Sequence, residues 1–345
     1  MPKSVVITGL GLVTAMGNSP ADLLCAIQQE QVATTRPGPE GLGDVRIAAI
    51  GGFEPEIWVP EPKTIRMMSR DAQLAVAAAT LAMRDSGIAA GQTYAPHEIG
   101  LFGATGLAGI TLDEVSRLVQ TSADENGQLD LLRFGAVALR QVRPVLSFKI
   151  LANMPMCFVS IFLNIQGPNA IFNPWEGQGA QAIVAGAECI RHGEAAAVLV
   201  GGCDVKTHEL GLTALKQQGV LNGDGLIVGE GAGFLVLEDE ARARSRGARI
   251  YARLKEWQRQ DRGAATTSAQ GVVLAAGTSP VSPAVQAGWG RETLSPKDSI
   301  GDLFAAAAAI QLATAAQWCF GGIGDVLACC FGHGGQGMSF HLEPA

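Results

Sequence analysis

The chain has 345 residues, which is about the length of two average domains or of one large one. Hydrophobic residues make up 48% of the sequence and charged residues 17%, which excludes an intrinsically disordered chain, because disorder requires low hydrophobicity and high charge. The 25 basic and 32 acidic residues give a net charge of −7, and no basic run occurs, so nucleic acid is not expected as a partner.

Short apolar strands alternate with alanine-rich helices along the chain. A buried strand is predicted at Val5–Thr8, ending at Gly9, and a helix is predicted after Ser19, with Pro20 at its first position. A long helix follows from Ser69 to Gly87. The later predicted elements are strands at 99–102, 196–200, 233–237 and 326–330, and helices at 179–191 and 238–246. This alternation predicts an α/β fold in which helices cover both faces of the strands.

One uncharged run, from Leu303 to Gly324, is nominally long enough to cross a membrane. It consists mostly of alanine, which contributes little to membrane insertion, and it contains Gln311, Thr314 and Gln317. We therefore expect a buried core helix and no membrane span.

The seven cysteines and five histidines form no recognisable metal-binding or disulfide pattern. The cysteines are odd in number and lie in apolar runs, which indicates reduced thiols in a cytoplasmic protein. The pair Gly9 and Gly11 follows a strand as in a dinucleotide-binding loop, but Thr14 stands where the third glycine of that motif is required. No cofactor and no metal are therefore expected.

The region 151–204 carries the most specific pattern. It contains Asn153-Met154, then Gly167-Pro168-Asn169, a glycine-rich turn into a helix at 177–180, and a strand that ends at Gly201-Gly202. This order resembles the β-ketoacyl-carrier-protein synthases (ketosynthases) of the thiolase superfamily. The stretches 5–19, 225–254 and 331–337 agree with the same family in the same order.

The resemblance implies the thiolase fold, an α/β fold with five αβαβα layers and two similar halves. We place an N-terminal ketosynthase-like half at 1–240 and a shortened C-terminal half at 241–345.

Active ketosynthases use a cysteine nucleophile and two histidines, and none of these three groups is retained. The matching positions are Glu176, Ala276 and Asp302. A carboxylate cannot take an acyl chain from a thiol carrier as a thioester, and without the histidines nothing neutral stabilises an oxyanion. The resemblance therefore implies a non-catalytic chain-length factor that pairs with an active ketosynthase in a type II synthase and meets acyl carrier protein through that complex. The Asn173–Gln178 turn and the short C-terminal half favour the aryl-polyene type.

The resemblance also implies which residues would line the acyl tunnel or the dimer interface. These candidates are Ile110, Leu112, Val115, Leu146, Met154, Met156 and Phe158. Ordinary interface packing explains the same apolar pattern equally well.

A buried charge network is a further hypothesis. Lys297 is retained from the family pattern, whereas its usual glutamate partner corresponds to Gln311. Glu176 and Asp302 are candidate replacement partners. Two alternatives stay open: a divergent enzyme, such as a decarboxylase or hydrolase, that uses Glu176 and Asp302, and a homodimeric acyl-binding scaffold.

Overall fold

The computed structural model describes residues 2–107, 109–173, 177–222, 226–260, 272–276, 293–332 and 337–345. Their strands are β1 Val5–Val13, β2 Arg36–Pro37, β3 Arg46–Ala48, β4 Ile99–Thr105, β5 Asn169–Phe172, β6 Ala197–Val205, β7 Ile227–Asp239, β8 Ala252–Gln260, β9 Val272–Ala276, β10 Thr293–Leu294, β11 Val326–Phe331 and β12 Gly337–Glu343. Their α-helices are α1 Pro20–Gln28, α2 Arg70–Ser86, α3 Leu112–Ser122, α4 Leu131–Arg133, α5 Leu146–Ile150, α6 Met154–Leu163, α7 Gly177–His192, α8 Glu209–Gln217, α9 Glu240–Ser245, α10 Pro296–Ile300 and α11 Ala307–Trp318.

The main strands form two sets with the same order and direction. The first set runs β5-β4-β6-β7-β1 and the second runs β10-β9-β11-β12-β8. In each set the first three strands are parallel, and each of the last two is antiparallel to its neighbour. Antiparallel pairing of β1 with β8 joins the sets into one sheet. This repetition confirms the predicted α/β fold with two similar halves, while the boundary at 240/241 stays a prediction.

Helices cover the first set of strands on both faces. On one face, α2 packs against β1, β7 and β6 and is itself contacted by α6. On the other face, α7 and α11 contact strands of both sets and therefore lie between them.

The first strand is longer than predicted, because Gly9 and Gly11 continue it and do not end it. A Cβ atom at Gly9 would lie 2.3 Å from the carbonyl oxygen of Ala82, and one at Gly11 would lie 2.1 Å from that of Ala78. The glycines therefore let α2 approach β1 closely, and glycine was misread as a turn signal. The caps of α2 are as predicted, with Ser69 before the helix and Gly87 in the left-handed conformation after it.

The uncharged C-terminal run forms α11 and its flanking turns. Residues Phe304–Ile323 are long and apolar enough to cross a membrane, with a mean hydropathy of 1.2. However, 78% of the 18-residue apolar stretch within them is buried inside the protein. Within α11, Gln311 donates a hydrogen bond to the carbonyl oxygen of Cys329 (2.7 Å), and Thr314 donates one to that of Ile310 (2.9 Å). The run is thus a core helix in which the buried side chains of Gln311 and Thr314 form internal hydrogen bonds.

Candidate functional site

Asp302 lies in a turn that is fixed to β7 by backbone hydrogen bonds. The amide of Asp302 donates to the carbonyl oxygen of Ile227 (2.7 Å), and the Asp302 carbonyl oxygen accepts from the amide of Gly229 (2.8 Å). Gly301 precedes it with φ +80°, where a Cβ atom would lie 2.9 Å from Ile227. The sequence Gly-Asp thus places a carboxylate, only 1% exposed, at the end of α10.

Both oxygens of the Asp302 carboxylate are engaged. Oδ2 forms an ion pair with Nζ of Lys297, which is on α10, and Oδ1 accepts a hydrogen bond from the amide of Phe304 (2.9 Å). The Lys297 side chain is itself mostly buried. A buried carboxyl group with these partners is fixed in position and shielded from water, so it is poorly placed to exchange protons with a substrate.

A second buried ion pair, Asp204 with Lys206, also contacts the Phe304 segment. Asp204, at the end of β6, accepts from Nζ of Lys206 and from the amide of Ala305 (3.1 Å). The Lys206 ammonium also lies 4.4 Å from the centre of the Phe304 ring, within reach of a cation–π interaction. Burial raises the pKa of Asp204, although Lys206 opposes the shift.

Phe304 is the residue on which the two pairs converge. It is fully buried and has φ +45°, which is rare for a residue with a bulky side chain. Such a conformation costs of order 1–3 kcal/mol and persists only where the surroundings determine it. The amides of Phe304 and Ala305, held by Asp302 and Asp204, supply that constraint.

Asp71 completes the buried acidic groups around this site. It lies in the first turn of α2, and among the described residues its Oδ1 has no hydrogen-bond partner; the same is true of the Oδ1 atom of Asp204. Desolvation by burial, assisted by the charge of Asp204, raises the pKa of Asp71 from 3.8 to about 6, although a hydrogen bond with Ser69 opposes the shift. The protein therefore carries an unfavourable buried charge at Asp71 at neutral pH.

Asp71→Asn is expected to stabilise the protein at pH 7–8. Because folding raises the pKa, the stability that protonated Asp71 confers is present below pH 3.8 and is lost as the pH rises through about 6. The variant should exceed wild type by on the order of 2–3 kcal/mol above pH 7 and should match it near pH 4. Denaturant unfolding of both proteins from pH 4 to 8 measures this difference; a difference that does not change with pH would contradict it.

The cysteines at the centre of the fold offer no nucleophile. Burial raises the pKa of the Cys203 and Cys330 thiols well above the usual value and that of Cys329 to about 12. A thiol with a raised pKa is protonated at neutral pH and is unreactive. In the parts of the chain that the structure describes, no cluster of three metal-ligating side chains is present either.

The structure places the predicted site residues unevenly. Lys297 and Asp302 are in contact. Glu176 lies outside the described residues, so its part in the network stays a prediction. Ala276 is described by its backbone only, in β9, where it pairs with Cys330 of β11.

Asp204, Lys206 and Phe304 were missed in the sequence. The only signal was a pair of charges, Asp204 and Lys206, at the end of an apolar strand. Nothing local links them to Phe304, about 100 residues later.

The tunnel and interface candidates separate by burial. Leu112 is 44% exposed at the start of α3, while Ile110, Val115 and Met154 are half-buried. Leu146, Met156 and Phe158 are buried within this chain.

Met156 and Phe158 lie in the core because α6 packs against α2 and β4. The Met156 sulfur occupies the space beside Gly103, where a Cβ atom would lie only 1.9 Å from it. Both residues are therefore buried within this chain, and a role in the tunnel or the interface stays a prediction for all seven candidates.

Comparisons with known proteins agree with this fold. Residues 2–243 match the family model described as β-ketoacyl synthase, N-terminal domain. The chain is 28% identical over 269 residues to 3-oxoacyl-[acyl-carrier-protein] synthase 2 of Vibrio cholerae, covering 72% of this chain and 61% of the relative. It is 29% identical over 271 residues to nodulation protein E of Rhizobium leguminosarum bv. trifolii, covering 73% and 62%. The chain thus spans about six-tenths of the length of these curated relatives.

Solved structures show the same architecture. The ishigamide ketosynthase/chain length factor matches with a TM-score of 0.80 at 19% identity, covering 100% of each chain. A type II polyketide synthase acyl-carrier protein in complex with its ketosynthase matches with a TM-score of 0.80 at 15% identity, also covering 100% of each chain. A β-ketoacyl synthase from Burkholderia phymatum matches with a TM-score of 0.77 at 22% identity, covering 99% of this chain and 100% of the other. At these identities the likeness establishes the thiolase-type fold.

Proposed function

Since this chain belongs to the β-ketoacyl synthase family, we propose that it is a non-catalytic subunit, a chain-length factor, which pairs with an active ketosynthase and shapes the tunnel for the growing acyl chain. Acyl carrier protein then meets this chain through the complex. The aryl-polyene class is the synthase type that the sequence favours.

The state of Asp302 carries this proposal. The family's catalytic chemistry needs a neutral imidazole at this position to donate a hydrogen bond to a developing oxyanion. Asp302 instead carries a carboxyl group with both oxygens engaged, by Lys297 and by the amide of Phe304. Because Phe304 and two buried ion pairs fill the surroundings, this part of the fold serves stability and not acyl transfer.

The surface supports a role as a subunit. β5 lies at the end of the described sheet, and a strand edge without a neighbour offers backbone groups to another chain. Large apolar side chains are exposed near the helices α3 to α6, which is unusual for a monomer. They are Leu112, Val119, Leu129, Leu131, Leu132, Val137, Leu139, Phe148, Ile150, Leu151 and Ile161.

The rival enzyme hypothesis has less support. A decarboxylase or hydrolase would need Asp302 to exchange a proton with substrate or water, and its carboxylate is buried and paired with Lys297. The homodimeric scaffold remains an outcome that the following experiment distinguishes.

Co-expression with an active ketosynthase is expected to yield a stable one-to-one heterodimer, because obligate interfaces bury roughly 2,000 Å² or more and cover such apolar surface. Light scattering of the purified complex measures its mass. Ile171→Lys, on the exposed face of β5, should weaken the complex, since charged side chains on an edge strand oppose pairing. Gln28→Lys, an exposed change on α1, is the control.

A soluble, monodisperse monomer would contradict the proposal. A homodimer that does not exchange with the ketosynthase would favour the scaffold alternative.

A further inference from the structure

A cleft of about 620 Å³ opens between three surface elements. One wall is the 3₁₀ helix Pro62–Met67, the second is α3, and the third is the chain from Gln141 to Lys149, which includes most of α5. Its volume lies within the range of pockets that hold small organic ligands, roughly 300–1,000 Å³. None of the buried ion-paired residues around Phe304 lines it.

Uncompensated positive charge surrounds this cleft. Arg66, Arg117 and Arg143 are exposed on its lining, and each comes from a different wall. Within the residues that the structure describes, none of the three guanidinium groups forms a hydrogen bond or an ion pair.

The other charges of the cleft are largely neutralised. Lys149 donates a hydrogen bond to Glu114 (2.6 Å), and Glu114 also accepts one from the amide of Thr111 (2.9 Å). Burial raises the pKa of Glu114, but these hydrogen bonds outweigh it and hold the pKa below its usual range, so the carboxylate stays ionised. Only Asp113 remains to offset the three arginines, which makes the cleft cationic in a chain whose net charge is −7.

Apart from Ser116 and Gln141, the rest of the lining is apolar. Leu146 is buried, while Leu118, Val142 and Val145 are half-buried and face the same cleft. Arginine guanidinium groups bind carboxylate and phosphate in a two-point geometry, whereas an aliphatic chain gains from contact with these apolar side chains. The cleft thus combines groups for an anionic head with groups for an aliphatic tail.

We propose that this cleft binds a single-chain amphiphile whose head is a phosphate ester or a carboxylate. The ligand places its head between Arg117 and Arg143, with Arg66 opposite, and its tail along Leu118, Val142 and Leu146. This site is separate from the Asp302 region and shares Leu146 with the proposed acyl tunnel. Binding of the amphiphile by the isolated chain does not depend on the proposed role as a chain-length factor.

Calorimetric titration of the full chain tests the proposal with four probes, each below its critical micelle concentration. These are dodecyl phosphate, dodecanoate, dodecanol and inorganic phosphate. At least one of the two anionic amphiphiles should bind with one-to-one stoichiometry. Dodecanol, which lacks the anionic head, and inorganic phosphate, which lacks the aliphatic tail, should each bind at least about tenfold more weakly. Tighter binding of dodecyl phosphate would assign the site to phosphate esters, and tighter binding of dodecanoate would assign it to fatty acids.

Variants link the binding to the cleft. Arg117→Gln with Arg143→Gln should weaken binding of the anionic amphiphile about tenfold or more, because a charge-assisted hydrogen bond is lost at each position. Arg140→Gln, an exposed arginine outside the lining, should leave binding unchanged. The proposal is overturned if neither anionic amphiphile shows saturable binding, if dodecanol binds as tightly as either, or if the double variant binds like wild type.

Discussion

Leu112→Trp is expected to shorten the products of the reconstituted pair. Leu112 is exposed at the start of α3 in this chain, so the larger side chain extends into the space that a partner and an acyl chain would share. Overfilling a packed site costs about 1–3 kcal/mol, which corresponds to roughly 5- to 150-fold in the partition between longer and shorter products. Mass spectrometry of the released products gives this distribution directly.

Matched variants separate the tunnel effect from damage to the fold. Leu112→Ala should lengthen products. At Leu146 and Met154, likewise, a larger side chain should shorten products and a smaller one should lengthen them. Gln28→Trp, an exposed change on α1, should leave the products unchanged. Glu176→Ala should alter product length little, because no bond is expected to form there. An unchanged product distribution in the Leu112, Leu146 and Met154 variants, together with loss of synthesis in Glu176→Ala, would show the chain to be catalytic.

Lys297→Met is expected to lower the free energy of unfolding by about 3–5 kcal/mol, because it removes the cation that is paired with the buried carboxylate of Asp302. Denaturant unfolding at pH 7 measures the change. Lys149→Met breaks a pair with Glu114 in which both side chains are partly exposed, so it should cost only about 0–1 kcal/mol.

The double variant Lys297→Met/Asp302→Asn identifies the cause. Asparagine removes the negative charge at position 302 and keeps an oxygen that can accept from the amide of Phe304. Most of the lost stability should return. If Lys297→Met costs no more than Lys149→Met, the pair is not a stabilising feature of this site.

The order of the elements was predictable from the sequence, since continuous apolar strands and alanine-rich helices carry a strong local signal. The helix α2 shows this best, because Ser69 and Gly87 mark both of its ends. Strand ends were less predictable. Gly9 and Gly11 resemble turn residues, but their absent side chains serve contact with Ala82 and Ala78, which is a tertiary constraint.

The candidate site was only partly predictable. The retained Lys297 and the acid five residues later lie on one local segment, so their contact could be expected from spacing. The pair Asp204 and Lys206 meets Phe304 only because β6 and the turn before α11 come together in the fold. The burial of Asp71 Oδ1 without a hydrogen-bond partner among the described residues likewise depends on packing between elements that are far apart in the sequence.

Intact-mass analysis after incubation with malonyl- and acyl-loaded carrier protein tests the central claim most directly. The measurement is made on this chain alone and on its complex with an active ketosynthase. We predict that the acyl adduct forms on the ketosynthase only, and that the isolated chain neither gains an adduct nor releases carbon dioxide. A covalent acyl adduct on this chain, or decarboxylation of malonyl-carrier protein without a partner, would contradict a non-catalytic role.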